Sequence, residues 1–176
     1  SVPATANAND LPWHHEAVAD ASGRRLMWMV WTHEWPPTTA VATSDDGTAW
    51  TAVDGFPGGA ADIADAIAPA SGGRWLLAGQ LVAGEEGQGV PAVWVSTDGS
   101  AWEVLPLPLG ELRSGRAERL VRETDGYLAV GYRLDAADAM WLTAWRSTDG
   151  RTWALVDAAT QGALGDGNHF TAVGPG

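Results

Sequence analysis

The sequence contains no cysteine and no lysine, and it has only two phenylalanines and two tyrosines beside eleven tryptophans. Without cysteine the chain has no disulfide, no thiolate metal site and no cysteine nucleophile. All ten basic residues are arginine, which fits the codon bias of a GC-rich genome. The tryptophan excess indicates a structural position that recurs along the chain and requires one large flat side chain.

Basic residues are too few to balance the acidic ones, so the formal net charge is −12 and the pI about 4.4. Such a surface repels phosphate backbones and anionic membranes, which argues against nucleic acid as a partner. No apolar run approaches the length of a membrane helix. Residues 1–10 are small, polar and proline-containing, like the mature end left after a signal peptide is removed. We therefore expect an exported bacterial protein, located outside the cell or in its envelope.

Several motifs of catalysis and cofactor binding are also missing. The sequence has no P-loop, no dinucleotide-binding glycine pattern, no G-x-S-x-G elbow and no H-E-x-x-H. The adjacent His14 and His15 have no carboxylate at a fixed spacing from them, so they make a weak metal site. We expect no cofactor and no metal, and the chain offers no evident nucleophile–base pair.

What the sequence does contain is a threefold internal repeat. The segments 40–53, 92–105 and 143–156 align without gaps and share the pattern S-x-D-G-x-x-W. The spacing is 52 residues from Ser44 to Ser96 and 51 from Ser96 to Ser147. The repeated positions are Ser44, Asp46, Gly47, Trp50, Ser96, Asp98, Gly99, Trp102, Ser147, Asp149, Gly150 and Trp153. Four matched positions in three copies are a strong signal of repeat architecture.

Each copy of the pattern predicts a hairpin. Residues that favour strands flank the Asp-Gly pair, which is a strong signal for a short turn. The Ser and Asp side chains can bond the backbone of the turn, while Gly can adopt a positive φ. We therefore assign these aspartates to turn capping rather than to cation binding.

Two further strands precede each hairpin. Apolar second strands are predicted at 23–31, 73–80 and 126–132, and short inner strands at 16–21, 63–68 and 118–123. Four antiparallel strands in about 50 residues are typical of a β-propeller blade. We predict an all-β fold with an N-terminal extension at 1–13 and a propeller segment at 14–176. Its parts are blade 1 at about 14–58, blade 2 at 59–110, blade 3 at 111–160 and the inner strand of a next blade at about 166–174.

Three blades do not close a ring, since a propeller has about four to eight. Both end blades would then expose apolar sheet faces, and exposed apolar area on that scale indicates a partner. We expect either a second copy or another polypeptide to complete the ring, with a slight preference for the second.

The S-x-D-G-x-x-W repeat resembles the Asp-box, or bacterial neuraminidase repeat, although it is one residue shorter between Asp and Gly. The resemblance implies a sialidase-like propeller in which the Asp-box joins the third and fourth strands at the blade periphery. A sialidase would also need an arginine triad, a Tyr nucleophile with a Glu partner, and an Asp acid/base. The Arg-Ile-Pro motif of that family is absent, and Tyr127 and Tyr132 lie on a strand where packing is expected. The arginines at 113, 116, 119 and 122 are the best anion-binding candidates, but solvent-facing charge explains them better.

The loops between the second and third strands vary in length and sequence, whereas the Asp-Gly turns do not. Variable loops on a repeated scaffold are where binding usually takes place. The candidate ligand-binding residues on this loop face are His33, Glu34, Trp35, Glu85, Glu86, Arg133, Asp135, Asp138 and Trp141. Our leading hypothesis is a non-enzymatic binding or scaffold module that recognises a protein or glycan there. The alternatives are part of a glycoside hydrolase whose other blades supply catalytic residues, and a structural assembly subunit.

Overall fold

The computed structural model of the chain describes residues 14–31, 38–57, 61–67, 69, 74–82 and 89–156. These residues form twelve strands in three antiparallel sheets of four, each with its strands in chain order. The prediction of an all-β fold built from four-stranded antiparallel blades is confirmed. The predicted inner strand at 166–174 and the extension at 1–13 lie outside the described residues. None of the described residues belongs to a helix that is long and apolar enough to span a membrane.

The strand bounds follow the repeat. Blade 1 contains β1 (His14–Ala19), β2 (Arg25–Trp31), β3 (Thr38–Ser44) and β4 (Thr51–Ala52). Blade 2 contains β5 (Ala61–Ile67), β6 (Trp75–Val82), β7 (Gly89–Ser96) and β8 (Glu103–Pro106). Blade 3 contains β9 (Ser114–Glu123), β10 (Gly126–Leu134), β11 (Met140–Ser147) and β12 (Ala154–Leu155).

The inner strands begin earlier than the sequence pattern predicts. β9 starts at Ser114 rather than at residue 118, because Ser114–Ala117 pairs with the end of β10. β5 starts at Ala61 rather than at residue 63, and β1 starts at His14 rather than at residue 16. These stretches are rich in polar residues, so the sequence pattern did not predict them as strands, although their backbone pairs with a neighbouring strand.

Blade 2 is packed on both faces, because side chains alternate along its strands. One face, including Trp75, Leu77 and Trp94, forms a buried cluster with Leu26, Trp28 and other residues of blade 1. The opposite face, including Leu76, Ala78 and Val93, forms a second cluster with Ala117, Leu120, Ala129 and Trp145 of blade 3. The core therefore consists of two layers between consecutive blades.

A third-strand tryptophan fixes the connection that leads into its own blade. Trp94 Nε1 donates a hydrogen bond to Pro57 O at 2.7 Å, and Trp145 Nε1 donates one to Pro108 O at 2.8 Å. Both bonds span 37 residues, and both tryptophans are fully buried. In blade 1 the same register position is held by Ala42, opposite Met27. We call this bond the Trp–Pro latch; blades 2 and 3 have it.

Candidate functional site

The three Asp-Gly turns have nearly the same geometry. In blade 2, Gly99 N–H donates to Ser96 Oγ at 2.8 Å, and the N–H groups of Ser100 and Ala101 donate to Asp98 Oδ1 at 2.7 and 2.9 Å. The Ser96 hydroxyl donates to Asp98 Oδ1 as well, at 3.0 Å. The corresponding bonds recur from Ser44 to Ala49 and from Ser147 to Thr152.

These bonds stabilise the ionised form of each turn aspartate. Backbone N–H donors, first of all those of Ala49, Ala101 and Thr152, hold the pKa values of Asp46, Asp98 and Asp149 below the usual range. The three carboxylates thus bond the amides of their own turns, four or fewer residues away.

Arginines join the turns of blades 2 and 3 to the preceding blade. Arg24 of blade 1 donates to Ser100 Oγ at 3.2 Å, and Arg74 of blade 2 donates from Nε to Asp149 O at 3.1 Å. The end of the molecule that bears the turns also has two shallow depressions, of about 280 and 240 Å³. They contain the ion pairs Glu123–Arg146 and Glu103–Arg151, so their polar groups already have partners.

The β10–β11 loop and the start of β11 contain three of the predicted ligand-binding residues that the structure describes: Asp135 and Asp138 lie in the loop, and Trp141 lies on β11. Asp135 caps this loop: its Oδ1 accepts from the N–H groups of Ala137 and Ala139 at 2.8 and 3.0 Å, which lowers its pKa. Trp141 Nε1 reaches Asp135 Oδ2 at 3.4 Å. Asp138 has a φ of 63° and pairs with Arg113. These polar groups therefore make bonds within the loop and to its neighbour Arg113.

Arg133, the fourth described candidate, is buried with 7% of its surface exposed. Its Nε donates to Thr143 Oγ1 at 2.8 Å, and its Nη1 donates to Leu109 O in the connection that leads into blade 3. Burial lowers its pKa. The other five candidates, His33, Glu34, Trp35, Glu85 and Glu86, lie outside the described residues.

The inner strands contain a second polar cluster around Arg116, so the interpretation of this arginine as a solvent-facing charge is wrong, because its side chain is only 17% exposed and pairs with a carboxylate. Arg116 on β9 contacts both carboxylate oxygens of Asp62 on β5, from Nη1 to Oδ2 at 2.6 Å and from Nη2 to Oδ1 at 3.1 Å. The two side chains are only 17% and 11% exposed. Arg116 Nε also lies 3.2 Å from Glu118 Oε1. One guanidinium therefore binds both carboxylate oxygens of Asp62 through its Nη atoms, and its Nε lies beside the Glu118 carboxylate.

Asp65 lies three residues further along β5 and has a different environment. Burial raises its pKa, although the N–H groups of Leu120 and Ala66 donate to its carboxylate and oppose that effect. The bond from Leu120 N–H to Asp65 Oδ2 is 2.7 Å long and joins blade 3 to blade 2. The nearby Tyr132 also has a raised pKa because it is buried. The charged groups that act on Asp65 are Arg119 and Glu16. We call Asp62, Asp65, Arg116, Glu118 and Tyr132, which lie on β5, β9 and β10, the inner-strand cluster.

Two β-bulges shape this cluster. The register of β5 skips Ala64, and that of β9 skips Glu118. Bulges re-aim side chains and are frequent beside active sites. Opposite them, Gly79 and Gly131 lie so close to the carbonyls of Asp62 and Arg116 that a Cβ atom would collide with backbone. The recurrence of Gly at equivalent positions of β6 and β10 is the sequence signal that marks this close approach.

A metal site does not emerge from the described part of the chain, where no three His, Asp or Glu side chains lie close enough together to hold an ion. The inner-strand cluster instead combines two carboxylates that pair with an arginine and a third carboxyl group whose pKa is raised by burial.

Comparison with solved structures finds several proteins with a similar fold. An α-L-arabinofuranosidase from Fusarium graminearum matches with a TM-score of 0.55 and 14% identity over 88% of this chain and 50% of its own. A sucrose-6-phosphate hydrolase from Lactobacillus gasseri matches with a TM-score of 0.53 and 14% identity, over 83% and 34%. A β-fructofuranosidase from Bombyx mori matches with a TM-score of 0.51 and 14% identity, over 90% and 39%.

These glycosidases have β-propeller folds, and the similarity shows that this chain shares that architecture. The chain spans half or less of the length of the three structures. No protein-family model matches the sequence, and no curated protein matches it.

Proposed function

We propose that the chain is part of a glycoside-hydrolase-like propeller and that its inner-strand cluster acts on a carbohydrate. The observation that carries the proposal is the contrast between the carboxyl groups of this cluster. Asp62 and Glu118 share the positive charge of Arg116, whereas Asp65 is buried and its pKa is raised. Cleavage of a glycosidic bond requires one protonated and one ionised carboxyl group, and different environments are how proteins provide both.

The proposed roles follow from charge and exposure. Asp65 retains its proton to higher pH and would donate it to the oxygen of the leaving group. Glu118 pairs with Arg116 and, at 32% exposure, is more accessible than Asp62. It would support the positive charge that develops on the sugar ring. Arg116 and Asp62 would position Glu118.

The similar structures support this proposal through their names, since each of the three hydrolyses a glycoside. It departs from our leading hypothesis of a non-enzymatic module that binds through the β2–β3, β6–β7 and β10–β11 loops. The Asp-box kinship and the exported location remain part of the proposal, and the turn hydrogen bonds support the kinship.

The test is hydrolysis of a panel of aryl glycosides by the chain and by its Asp65→Asn variant, each over a range of pH. Turnover that falls at least about a hundredfold in Asp65→Asn, with loss of the alkaline limb of the pH profile, would support the proposed acid. Asp125→Asn, which changes an exposed carboxylate on the β9–β10 turn, is the matched control and should leave turnover unchanged.

Oligosaccharide binding without turnover would instead favour the non-enzymatic module. In that case Trp141→Ala at the start of β11, beside the β10–β11 loop, should weaken binding, and Glu118→Gln should not. Absence of both binding and turnover across the panel would contradict the proposal.

A further inference from the structure

Blade 3 has an outer face, which is directed away from blade 2. This face has apolar residues at most of the register positions that are buried in blade 2. On β6 and β7 the register pairs Leu76–Val95, Ala78–Val93 and Gln80–Pro91 lie against blade 3. All six residues are buried, at 7% exposure or less where a value is resolved. The equivalent pairs on β10 and β11 are Leu128–Arg146, Val130–Ala144 and Tyr132–Leu142.

The same positions in blade 3 are incompletely covered. Leu128, Val130, Tyr132, Leu142 and Ala144 are each half-buried, and Arg146 at the rim is exposed. Arg146 pairs with Glu123 at 2.9 and 3.0 Å, so its charge is matched at the edge, away from the apolar centre of the face. The centre is therefore apolar and the rim polar, as in protein interfaces.

The shape of the centre indicates what would cover it. In blade 2 the central pair is one Ala and one Val, and it lies in the cluster that contains the Trp145 indole of the next blade. Blade 3 has the same two residue types at that pair, Val130 and Ala144, with their strands exchanged. The face thus leaves the same room for an indole from a third strand.

A second copy of the chain would not supply that indole. The blade 1 residue at the register position of Trp94 and Trp145 is Ala42. Its methyl group would leave a space that a tryptophan fills in the described blade interfaces, and unfilled space in a core is destabilising.

From these observations we propose that the outer face of blade 3 is a docking surface for a further propeller blade that carries a third-strand tryptophan and is not blade 1 of a second copy. The interface would repeat the contact between blades 2 and 3. The proposal does not depend on carbohydrate chemistry, because the face is distinct from the inner-strand cluster apart from its edge at Tyr132.

The absence of cysteine allows a direct test. Val130→Cys places a single thiol at the centre of the face, and Thr148→Cys places one on the turn of blade 3 as a control. Thr97, the equivalent of Thr148, stays exposed although blade 3 covers blade 2. Each variant is made in the full chain and in a full chain extended at its C-terminus by a copy of residues 107–156, which provides a blade with its own tryptophan.

In the extended chain we expect maleimide to label the Val130→Cys thiol at least about tenfold more slowly, since labelling would require the blade to open. The Thr148→Cys thiol should react at an unchanged rate. The same extension with alanine at its copy of Trp145 should restore most of the labelling. Circular dichroism checks that each variant is folded.

Equal labelling of Val130→Cys in the extended and original chains would overturn the proposal. So would protection in the original chain that disappears on dilution, together with a light-scattering mass twice 18.4 kDa, since a second copy would then be the occupant.

Discussion

The Asp-Gly turns and the inner strands occupy equivalent places in the three blades, yet they have diverged to different extents. The bond from Gly N–H to Ser Oγ is 2.7, 2.8 and 2.8 Å long in blades 1, 2 and 3. On the inner strands, by contrast, Asp62 and Arg116 hold equivalent register positions with opposite charges, as do Asp65 and Arg119. The turns are alike because the Ser and Asp side chains of each turn bond the backbone of that same turn. The inner strands differ because each bonds its neighbour.

This difference has a consequence for blade order. Opposite charges at equivalent positions make blades 2 and 3 complementary neighbours rather than interchangeable copies. Hydrogen bonds within each turn allow few residue types at the turn positions. Pairing between blades allows many combinations of residues on the inner strands. Sites that recognise a ligand can arise where the repeat is free to vary.

The largest expected effect comes from breaking the charge pair between the inner strands. Arg116→Ala would leave Asp62 buried without its partner, and we expect a loss of about 3 kcal/mol in the free energy of unfolding. Urea denaturation followed by tryptophan fluorescence measures it. The double variant Asp62→Leu with Arg116→Met replaces both charges with apolar groups and should recover most of that loss. Equal destabilisation in the single and double variants would show that the pair is not the cause.

The turns should respond less strongly and equally. Ser44→Ala removes the acceptor for one backbone N–H, and Ser96→Ala and Ser147→Ala remove the acceptor that two backbone N–H groups share. Each substitution should cost about 1 kcal/mol. Denaturation of the three variants under one set of conditions makes the comparison. Costs that differ by more than about 1 kcal/mol would show that the turns are equivalent in geometry but not in energy.

Smaller effects are expected in the pH dependence of stability, and those of Asp98 and Asp65 should have opposite signs. The pKa of Asp98 is lowered in the fold, so its contribution is present above about pH 4 and is lost as the pH falls through the folded value. Asp98→Asn keeps an acceptor but should flatten the curve in this acid range. Unfolding measured from pH 2 to 6 tests it, and an unchanged slope would contradict the assignment.

Asp65 should behave in the opposite way. Its pKa is raised in the fold, so the folded state holds the proton more tightly than the unfolded state. Stability therefore falls as the pH rises from about 4 through the folded value. Asp65→Asn should remove this decline and be the more stable protein above that range. Thermal unfolding of both proteins from pH 4 to 8 measures the difference, and parallel curves would refute it.

The sequence was sufficient to predict the blades, but it was not sufficient to predict which residues form the inner-strand cluster. The three copies of S-x-D-G-x-x-W predict the hairpins that join the third and fourth strands of the blades. They do so because the hydrogen bonds of each turn are made between residues close together in the sequence. Asp62 and Arg116, in contrast, are 54 residues apart and belong to no shared motif. The bulges at Ala64 and Glu118 also break the alternation that would have indicated which way these side chains point. Of the predicted loop residues, Arg133 reads in the sequence as a surface charge, yet the structure buries it against Thr143 and Leu109 O.

The Trp–Pro latch bears on how the chain folds. It joins residues 37 apart within one repeat, so a blade can be fastened before the next one has formed. A contact within one repeat spans fewer residues than most contacts between blades, which favours folding as a succession of units. Blade 1 has Ala42 in place of the tryptophan and is expected to be fastened last, by docking onto a finished blade 2. Nucleation would then begin in the middle of the chain and spread toward its start.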